Sequence, residues 1–259
     1  MNRFLLLPII ASAVLVGCTN QPRTTSSTTE QVTSSIAATS GMTTSPAQTN
    51  AVTTSAAQTS AAPTASTFVA EVWADNWFSL TVNGVPVGED SVPITTERSF
   101  NAETLTFTAT YPLTITFVTK DYKATDSGLE YIGTDRQQMG DGGFIAQFTD
   151  QATGQVVAAT GDAWRALAVQ RAPLNQDCVS SADPNTDCQF EIVAEPVGWH
   201  DASFDDTDWS AATVYSAADV GTKDGYETID WVASAQLIWT SDLQVDNTIL
   251  WRFTAEQIS

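Results

Sequence analysis

The chain has little positive charge and almost no histidine. Its 259 residues include 10 Lys and Arg against 30 Asp and Glu, and a single His. Nearly all of this charge falls after residue 66, where 8 basic residues are outnumbered by 29 acidic ones. A surface of this sign repels nucleic acid and anionic lipid headgroups, so we expect no nucleic-acid partner. The acidic excess favours solubility as its role, with cation binding as the alternative.

Sequence motifs for several enzyme classes are also missing. A Ser-His-Asp triad would need His200, and no Gly-x-Ser-x-Gly elbow is present. The glycine-rich segment 140–143 comes before a predicted strand rather than a helix, which indicates a tight turn and not a phosphate loop. Glycoside hydrolysis needs two carboxylates at a defined separation, and no motif selects such a pair. We therefore predict no catalytic residue and no enzymatic activity, with a carboxylate-based glycoside hydrolase as the least favoured alternative.

Cysteine is scarce, and two of the three cysteines lie close together. Cys178 and Cys188 flank a turn-rich segment that contains Asp183-Pro184-Asn185. A thiolate metal site would need further Cys or His partners, which the sequence lacks. In an exported chain such a pair is typical of a disulfide.

The third cysteine ends an apolar run at the N terminus. Residues 4–16 are too few for a membrane-spanning helix, and Leu15-Val16-Gly17-Cys18 completes the run. This segment resembles the lipobox of bacterial lipoproteins. The resemblance implies a signal peptide over residues 1–17, acylation of Cys18 by palmitate or a similar chain, and a lipid anchor in the membrane. Because Thr19 follows the cysteine, it implies the bacterial outer membrane, on its periplasmic or cell-surface face. An ordinary secretory signal is the alternative.

The next segment has too few apolar residues to fold. From residue 18 to residue 66 the chain is mostly Thr, Ser, Ala and Gln, with no aromatic residue. Such a composition cannot bury enough apolar surface to offset its ordering entropy, so we predict a disordered tether. Residues 67–259 hold all eight Trp and are long enough for one domain.

Short alternating segments run through this domain, and none has a sustained helical stripe. Residues 77–84 alternate apolar and polar side chains and end at an Asn-Gly turn, as hairpins do. The pattern predicts an antiparallel β-sandwich or barrel, with one turn of helix over 210–218. After the hairpin formed with 85–88, the predicted strands are 103–108, 113–118, 144–148, 155–159, 163–169, 190–193, 236–239 and 248–253.

Three patches resemble galactose-binding-like jelly-roll domains. Residues 74–84 (Ala-Asp-Asn-Trp-Phe-Ser-Leu-Thr-Val-Asn-Gly) resemble an early strand of that family. Residues 204–209 (Phe-Asp-Asp-Thr-Asp-Trp) are similar to a loop of β domains appended to glycosidases, and residues 235–239 (Ala-Gln-Leu-Ile-Trp) resemble the strand that often follows it. The resemblance implies an all-β, antiparallel jelly-roll β-sandwich behind the tether.

Two kinds of ligand site are candidates. An aromatic platform beside polar groups suits a sugar, and the residues that could supply it are Trp73, Trp77, Tyr226 and Trp231. The resemblance also raises the expectation of a structural calcium ion. Its oxygen ligands would come from Asp-rich loops, with Asp75, Asn76, Asp205 and Asp206 as candidates and the loop 183–187 as a further source.

We thus expect a membrane-anchored surface or periplasmic lipoprotein displaying a noncatalytic sandwich that binds carbohydrate or another extracellular ligand. The alternative is a structural or accessory envelope protein that contacts other proteins without a small-molecule ligand.

Overall fold

The computed structural model describes residues 64–257. The predicted signal peptide, Cys18 and residues 19–63 of the predicted tether lie outside the described residues. Within the described range the chain is mainly strand, with two single-turn helices. The elements are β1 (Ser66–Asp75), β2 (Trp77–Val82), β3 (Val85–Glu89), β4 (Ala102–Ala109), β5 (Leu113–Lys120), β6 (Leu129–Glu130), β7 (Gln138–Met139), β8 (Gly143–Asp150), β9 (Gln155–Ala159), β10 (Arg165–Arg171), α1 (Pro184–Asp187), β11 (Glu191–Ile192), β12 (Ser210–Ala211), β13 (Thr213–Tyr215), α2 (Ala217–Val220), β14 (Leu237–Trp239) and β15 (Asp246–Ala255).

These strands form two large antiparallel sheets. The first has the order β13-β14-β8-β1-β4, with β9 also paired to β8. The second has the order β11-β10-β15-β5-β2-β3, with β12 also paired to β10. A small two-stranded sheet joins β6 and β7. The chain moves from the first large sheet to the second at β1–β2, β4–β5, β9–β10 and β14–β15.

The two large sheets bury their alternating apolar residues against each other. Phe68, Ala70, Val72 and Ala74 of β1 are fully buried, as the period-two pattern requires. Aromatic rings bridge the sheets: Phe144 of β8 lies 4.7 Å from the Phe117 ring of β5 and 5.8 Å from the Trp251 ring of β15. Two sheets packed face to face around a shared core form a β-sandwich.

The structure confirms the predicted strands in the main and corrects two details. The central strand β1 was missed, although its alternation is as regular as that of the strands that were found. The segments 103–108 and 113–118 are strands as predicted, and they lie in different sheets. The predicted helical turn over 210–218 is mostly the strands β12 and β13, and helix begins only at Ala217.

Two local predictions are confirmed. Asn83 and Gly84 both have positive φ, +52° and +73°, as the two-residue turn between β2 and β3 requires. Cys178 and Cys188 form a disulfide, with their Cα atoms 5.3 Å apart. Among residues 64–257, no helix is long and apolar enough to cross a membrane.

Candidate functional site

Sheet register brings several carboxylates to one end of the sandwich. Asp75 ends β1 and lies opposite Gly143, the first residue of β8, so the turn that carries Asp141 lies beside it. On the second sheet Asp121 follows β5, and its backbone N–H donates to the carbonyl of Asn247 at 2.9 Å. Glu130 comes from the short strand β6. We call Asp75, Asp121, Glu130 and Asp141 the carboxylate cluster.

One lysine links the cluster to the loop after α2. Lys223 Nζ lies 3.0 Å from Asp75 Oδ2 and 3.2 Å from Asp141 Oδ1. It also lies 4.6 Å from the centre of the Phe100 ring. Burial lowers the Lys223 pKa, but the Asp75 and Asp141 charges raise it by more, so the net pKa is raised and the ammonium form is favoured. One cation is therefore shared between two carboxylates.

Three members of the cluster are almost completely buried. Asp75, Asp121 and Glu130 are 1%, 2% and 4% exposed. Burial raises the pKa of Asp75 to about 8 and that of Glu130 to about 7, and it raises the pKa of Asp121 well above its ordinary value. The negative charge of Asp141 raises all three pKa values further. Burial therefore favours the protonated forms of these three carboxyls, and at Asp75 the Lys223 charge opposes that shift.

The deepest carboxyl, Asp121, is only partly satisfied. Its Oδ2 lies 3.5 Å from Asn247 Nδ2, while Oδ1 of Asp121 and Oδ1 of Asn247 have no hydrogen-bond partner. The Gly140 backbone passes so close that a Cβ there would lie 2.0 Å from Asp121 Oδ2. The glycine-rich turn predicted from the sequence thus lets the chain approach this carboxyl.

A polar cleft of about 300 Å³ opens above the cluster. Glu130 and Asp141 reach its wall, together with two aromatic rings, two cations, an amide and a further carboxylate: Phe100, Tyr131, Arg98, Lys223, Gln138 and Glu97. Gln138 Nε2 donates to Glu130 Oε2 at 3.1 Å. The Arg136 guanidinium lies 4.1 Å from the centre of the Tyr131 ring. The cleft offers both hydrogen-bond donors and acceptors beside two aromatic rings, each of which has a cation over its face.

The predicted aromatic binding residues do not line this cleft. Trp73 is fully buried and donates its Nε1–H to the Asp224 carbonyl at 3.1 Å. Tyr226 packs between Trp73 and Trp231, with ring centres 5.6 and 6.0 Å away, and these three residues belong to a small second core. Trp77 lies on β2 of the other sheet, where Lys120 Nζ is 4.7 Å from its ring. Three of the four predicted aromatic residues therefore lie together, and they pack against one another in this second core.

The candidate calcium ligands occupy separate places. Asn76 is fully buried, and its Oδ1 accepts from the backbone N–H of Tyr122 at 2.6 Å. Asp205 Oδ1 accepts from the N–H and hydroxyl of Thr207, while Asp206 pairs with Arg252 at 2.8 Å. Among residues 64–257, no group of three or more His, Cys, Asp or Glu is placed to hold a metal ion.

His200 has a structural place. Its Nδ1 is 2.8 Å from the Thr116 hydroxyl, and its ring stacks on Trp199 at 3.8 Å. Burial lowers its pKa.

Sequence reasoning selected Asp75 but missed Asp121, Glu130, Asp141 and Lys223. In the sequence, these residues are marked only by the glycines around Asp141 and by polar residues that follow strands. That these side chains lie close together is visible only from the sheet register.

Comparison with protein-family models, curated proteins and solved structures finds no match to the chain.

Proposed function

We propose that the chain is an outer-membrane lipoprotein whose jelly-roll sandwich binds a carbohydrate in the polar cleft without transforming it. The observation that carries the proposal is the cleft itself. Its wall combines the buried Glu130 carboxyl, two half-buried carboxylates, an amide, two cations and two aromatic rings. Sugars present hydroxyl groups at a ring's rim and C–H groups on its faces, so their sites combine fixed polar groups with aromatic surface.

The protonation of the cluster supports this ligand class. A carboxylate only accepts hydrogen bonds, whereas a protonated carboxyl also donates one. With the pKa of Glu130 raised to about 7, its carboxyl can do either near neutral pH. The neighbouring hydroxyl groups of a sugar also both donate and accept hydrogen bonds.

The membrane-anchor part of the proposal rests on the lipobox resemblance at Cys18. The wild-type chain should fractionate with membranes, while the Cys18→Ser variant should not.

A glycan array probed with the full chain in detergent-containing buffer tests the proposal. We expect selective binding that is reduced by Asp141→Asn and by Gln138→Ala, because both side chains line the cleft. Asp162→Asn is the matched control, since Asp162 is an exposed carboxylate outside the cleft. Binding that is equal in all variants, or no binding by any of them, would contradict the proposal. An array without binding signal would favour the alternative, an accessory envelope protein that contacts other proteins.

One observation favours a second candidate, a carboxylate-based glycoside hydrolase. Glu130, with its raised pKa, has the character of a general acid, and Asp141 is a second carboxylate in the same cleft. Any glycan bound on the array should be incubated with the protein and its reducing ends measured. Hydrolysis that is lost in Glu130→Gln while binding persists would establish that the protein is a glycoside hydrolase. Glycan that stays intact would support the noncatalytic binding module instead.

A further inference from the structure

Exposed apolar side chains collect along one edge of the second large sheet. Within residues 64–257, most of the exposed large apolar side chains come from residue 174 and from the segment 190–197: Leu174, Phe190, Ile192, Val193 and Val197. The Leu174 N–H donates to the Gln189 carbonyl at 2.8 Å, so the two stretches lie side by side. Apolar residues that are grouped in this way, rather than scattered singly, are typical of an interaction surface. We call residues 189–195 the β11 edge.

Backbone groups of the β11 edge are open to another strand. β11 is the outermost strand of the second sheet, beside β10. The Val193 N–H donates toward β10, to the Val169 carbonyl at 2.8 Å, and the Gln189 carbonyl accepts from the same side. Because backbone groups alternate in direction along a strand, the N–H and C=O groups of Phe190 and Ile192 point away from the sheet. A strand added at this end of the sheet can bond to them.

Other edge strands differ from the β11 edge. β3, at the opposite end of the second sheet, carries Pro86, which has no N–H to donate. β4, at an end of the first sheet, exposes threonines at alternate positions: Thr104, Thr106 and Thr108. Every residue of the β11 edge is exposed, and none is a proline or a lysine, the residues that commonly protect a sheet edge. The β11 edge therefore suits strand addition, in which backbone bonds give affinity and alternate side chains give specificity.

The charge around the β11 edge selects the kind of partner. Residues 172–197 contain five acidic residues and no Lys or Arg, and Glu191 and Glu195 are exposed within the edge itself. Arg171 on β10 is already shared between Asp246 at 2.8 Å and Glu191 at 3.6 Å. A second copy of this chain would bring the same acids together, and like charges on paired strands are destabilising. A segment that carries Lys or Arg among its apolar residues has the complementary charge.

We propose that the β11 edge binds an extended segment of a partner protein, in which apolar and basic residues alternate, as an added strand of the second sheet. The segment pairs its backbone with Phe190 and Ile192 and covers their side chains. Its basic residues lie near Glu191 and Glu195. The residues that line the polar cleft lie on other elements than β10 and β11, so this proposal does not depend on carbohydrate binding.

The test uses a short fluorescent peptide in which Val and Lys alternate, titrated with the full chain in detergent-containing buffer and followed by fluorescence anisotropy. We expect saturable binding of one peptide per chain. Ile192→Pro removes an outward N–H and Phe190→Ser removes an apolar contact, so each should weaken binding about tenfold or more. Val214→Ser is the matched control, because Val214 is an exposed apolar residue on β13 of the other sheet, and it should bind as the wild type does.

Two control peptides separate strand addition from attraction by charge alone. The same peptide N-methylated at every residue keeps its charge but has no backbone donor, and a peptide in which Glu replaces Lys keeps the donors but reverses the charge. We expect neither control peptide to bind. Equal binding of the N-methylated peptide would show that the acidic surface attracts cations diffusely, and equal binding of the Glu peptide would contradict the basic partner.

Three further outcomes would overturn the proposal. They are the absence of saturable binding by the wild type, full binding by both edge variants, and an equal loss of binding in Val214→Ser. Sedimentation of the wild type as a dimer that Phe190→Ser dissociates would show that a second copy occupies the edge instead. If Ile192→Pro fails to fold, Phe190→Ser decides the matter, since its side chain is exposed and its backbone bonds are unchanged.

Discussion

Two regions of the sandwich bury charged side chains, and they do so in opposite ways. In one, Arg252 of β15 is 2% exposed and each of its three nitrogens donates to an oxygen: Nε donates to Asp206 at 2.8 Å, and the two terminal nitrogens donate to the carbonyls of Trp199 and Asp201. In the other, the carboxylate cluster holds three buried acids and Asp141 around Lys223 alone. Removing one partner from such a set would leave a buried charge unpaired, which is strongly destabilising.

The incomplete set has different consequences. Burial raises the pKa of Asp121, the neighbouring carboxyls raise it further, and its Oδ1 is left without a hydrogen-bond partner. Of the four cluster members, Glu130 and Asp141 reach the cleft wall, and strongly shifted pKa values in a cleft are more common at functional sites than elsewhere. We therefore propose a packing role for the Arg252 region and ligand binding for the cluster.

The largest expected loss of stability comes from a substitution at Arg252. Arg252→Lys keeps the charge but cannot reach Asp206, Trp199 and Asp201 together, so buried oxygens lose their donors. We expect a loss of about 3 kcal/mol in the free energy of unfolding, measured in urea. Arg165→Lys is the control, because Arg165 lies opposite Arg252 on β10 but is exposed. A loss below about 0.5 kcal/mol for Arg252→Lys, as for an ordinary surface change, would contradict the structural role.

A slightly smaller effect is expected at the turn that carries Asp141. A Cβ on Gly142 would lie 2.2 Å from the fully buried Trp239 ring. Gly142→Ala should therefore cost about 2 kcal/mol through overpacking. Gly161→Ala, whose Cβ would meet only the end of the Gln236 side chain at 3.3 Å, should be nearly neutral in the same denaturation experiment. Equal stabilities of the two variants would show that the turn is not tightly packed.

Sequence patterning determined most of the fold but little of the site. Alternation and turn residues identify β2, β3, β4, β5 and β8 because one buried face imposes a period of two. The same alternation cannot show which Trp is exposed, and Trp73 proved to be fully buried. Asp121, Glu130 and Lys223 are far apart along the chain, and their meeting depends on sheet register and on the loops between strands.

The Phe-Asp-Asp-Thr-Asp-Trp segment shows the same limit. Its residue types suit both a turn and a cation site. Phe204 and Trp209 pack edge to face, and Asp205 accepts two bonds from Thr207 within the loop. Only the position of Arg252, 46 residues away from Asp206, shows what Asp206 contacts.

A change of pH should also alter the stability of the folded protein. The folded pKa values of Asp75 (about 8) and Glu130 (about 7) exceed the unfolded values near 4, so folding favours the protonated forms. Their contribution to stability is complete below about pH 4 and is lost as pH rises through the folded pKa values. The free energy of unfolding should therefore fall between about pH 5 and pH 9.

Asp75→Asn sharpens this prediction. The amide cannot ionise, so the variant should lose less stability than the wild type between pH 5 and pH 9, while Asp162→Asn should follow the wild-type curve. Urea unfolding at each pH gives the slopes. Parallel curves for the wild type and Asp75→Asn would show that Asp75 does not titrate in this range.

The most direct test of the comparison is a calorimetric affinity for the glycan that binds best on the array. The wild type should be compared with Asp141→Asn in the cleft and with Asp205→Asn in the loop next to Arg252. We predict that Asp141→Asn weakens binding about tenfold or more, as expected when a charged hydrogen-bonding group is removed, and that Asp205→Asn binds as the wild type does. Unchanged affinity in Asp141→Asn, or an equal loss in Asp205→Asn, would contradict the assignment of ligand binding to the carboxylate cluster.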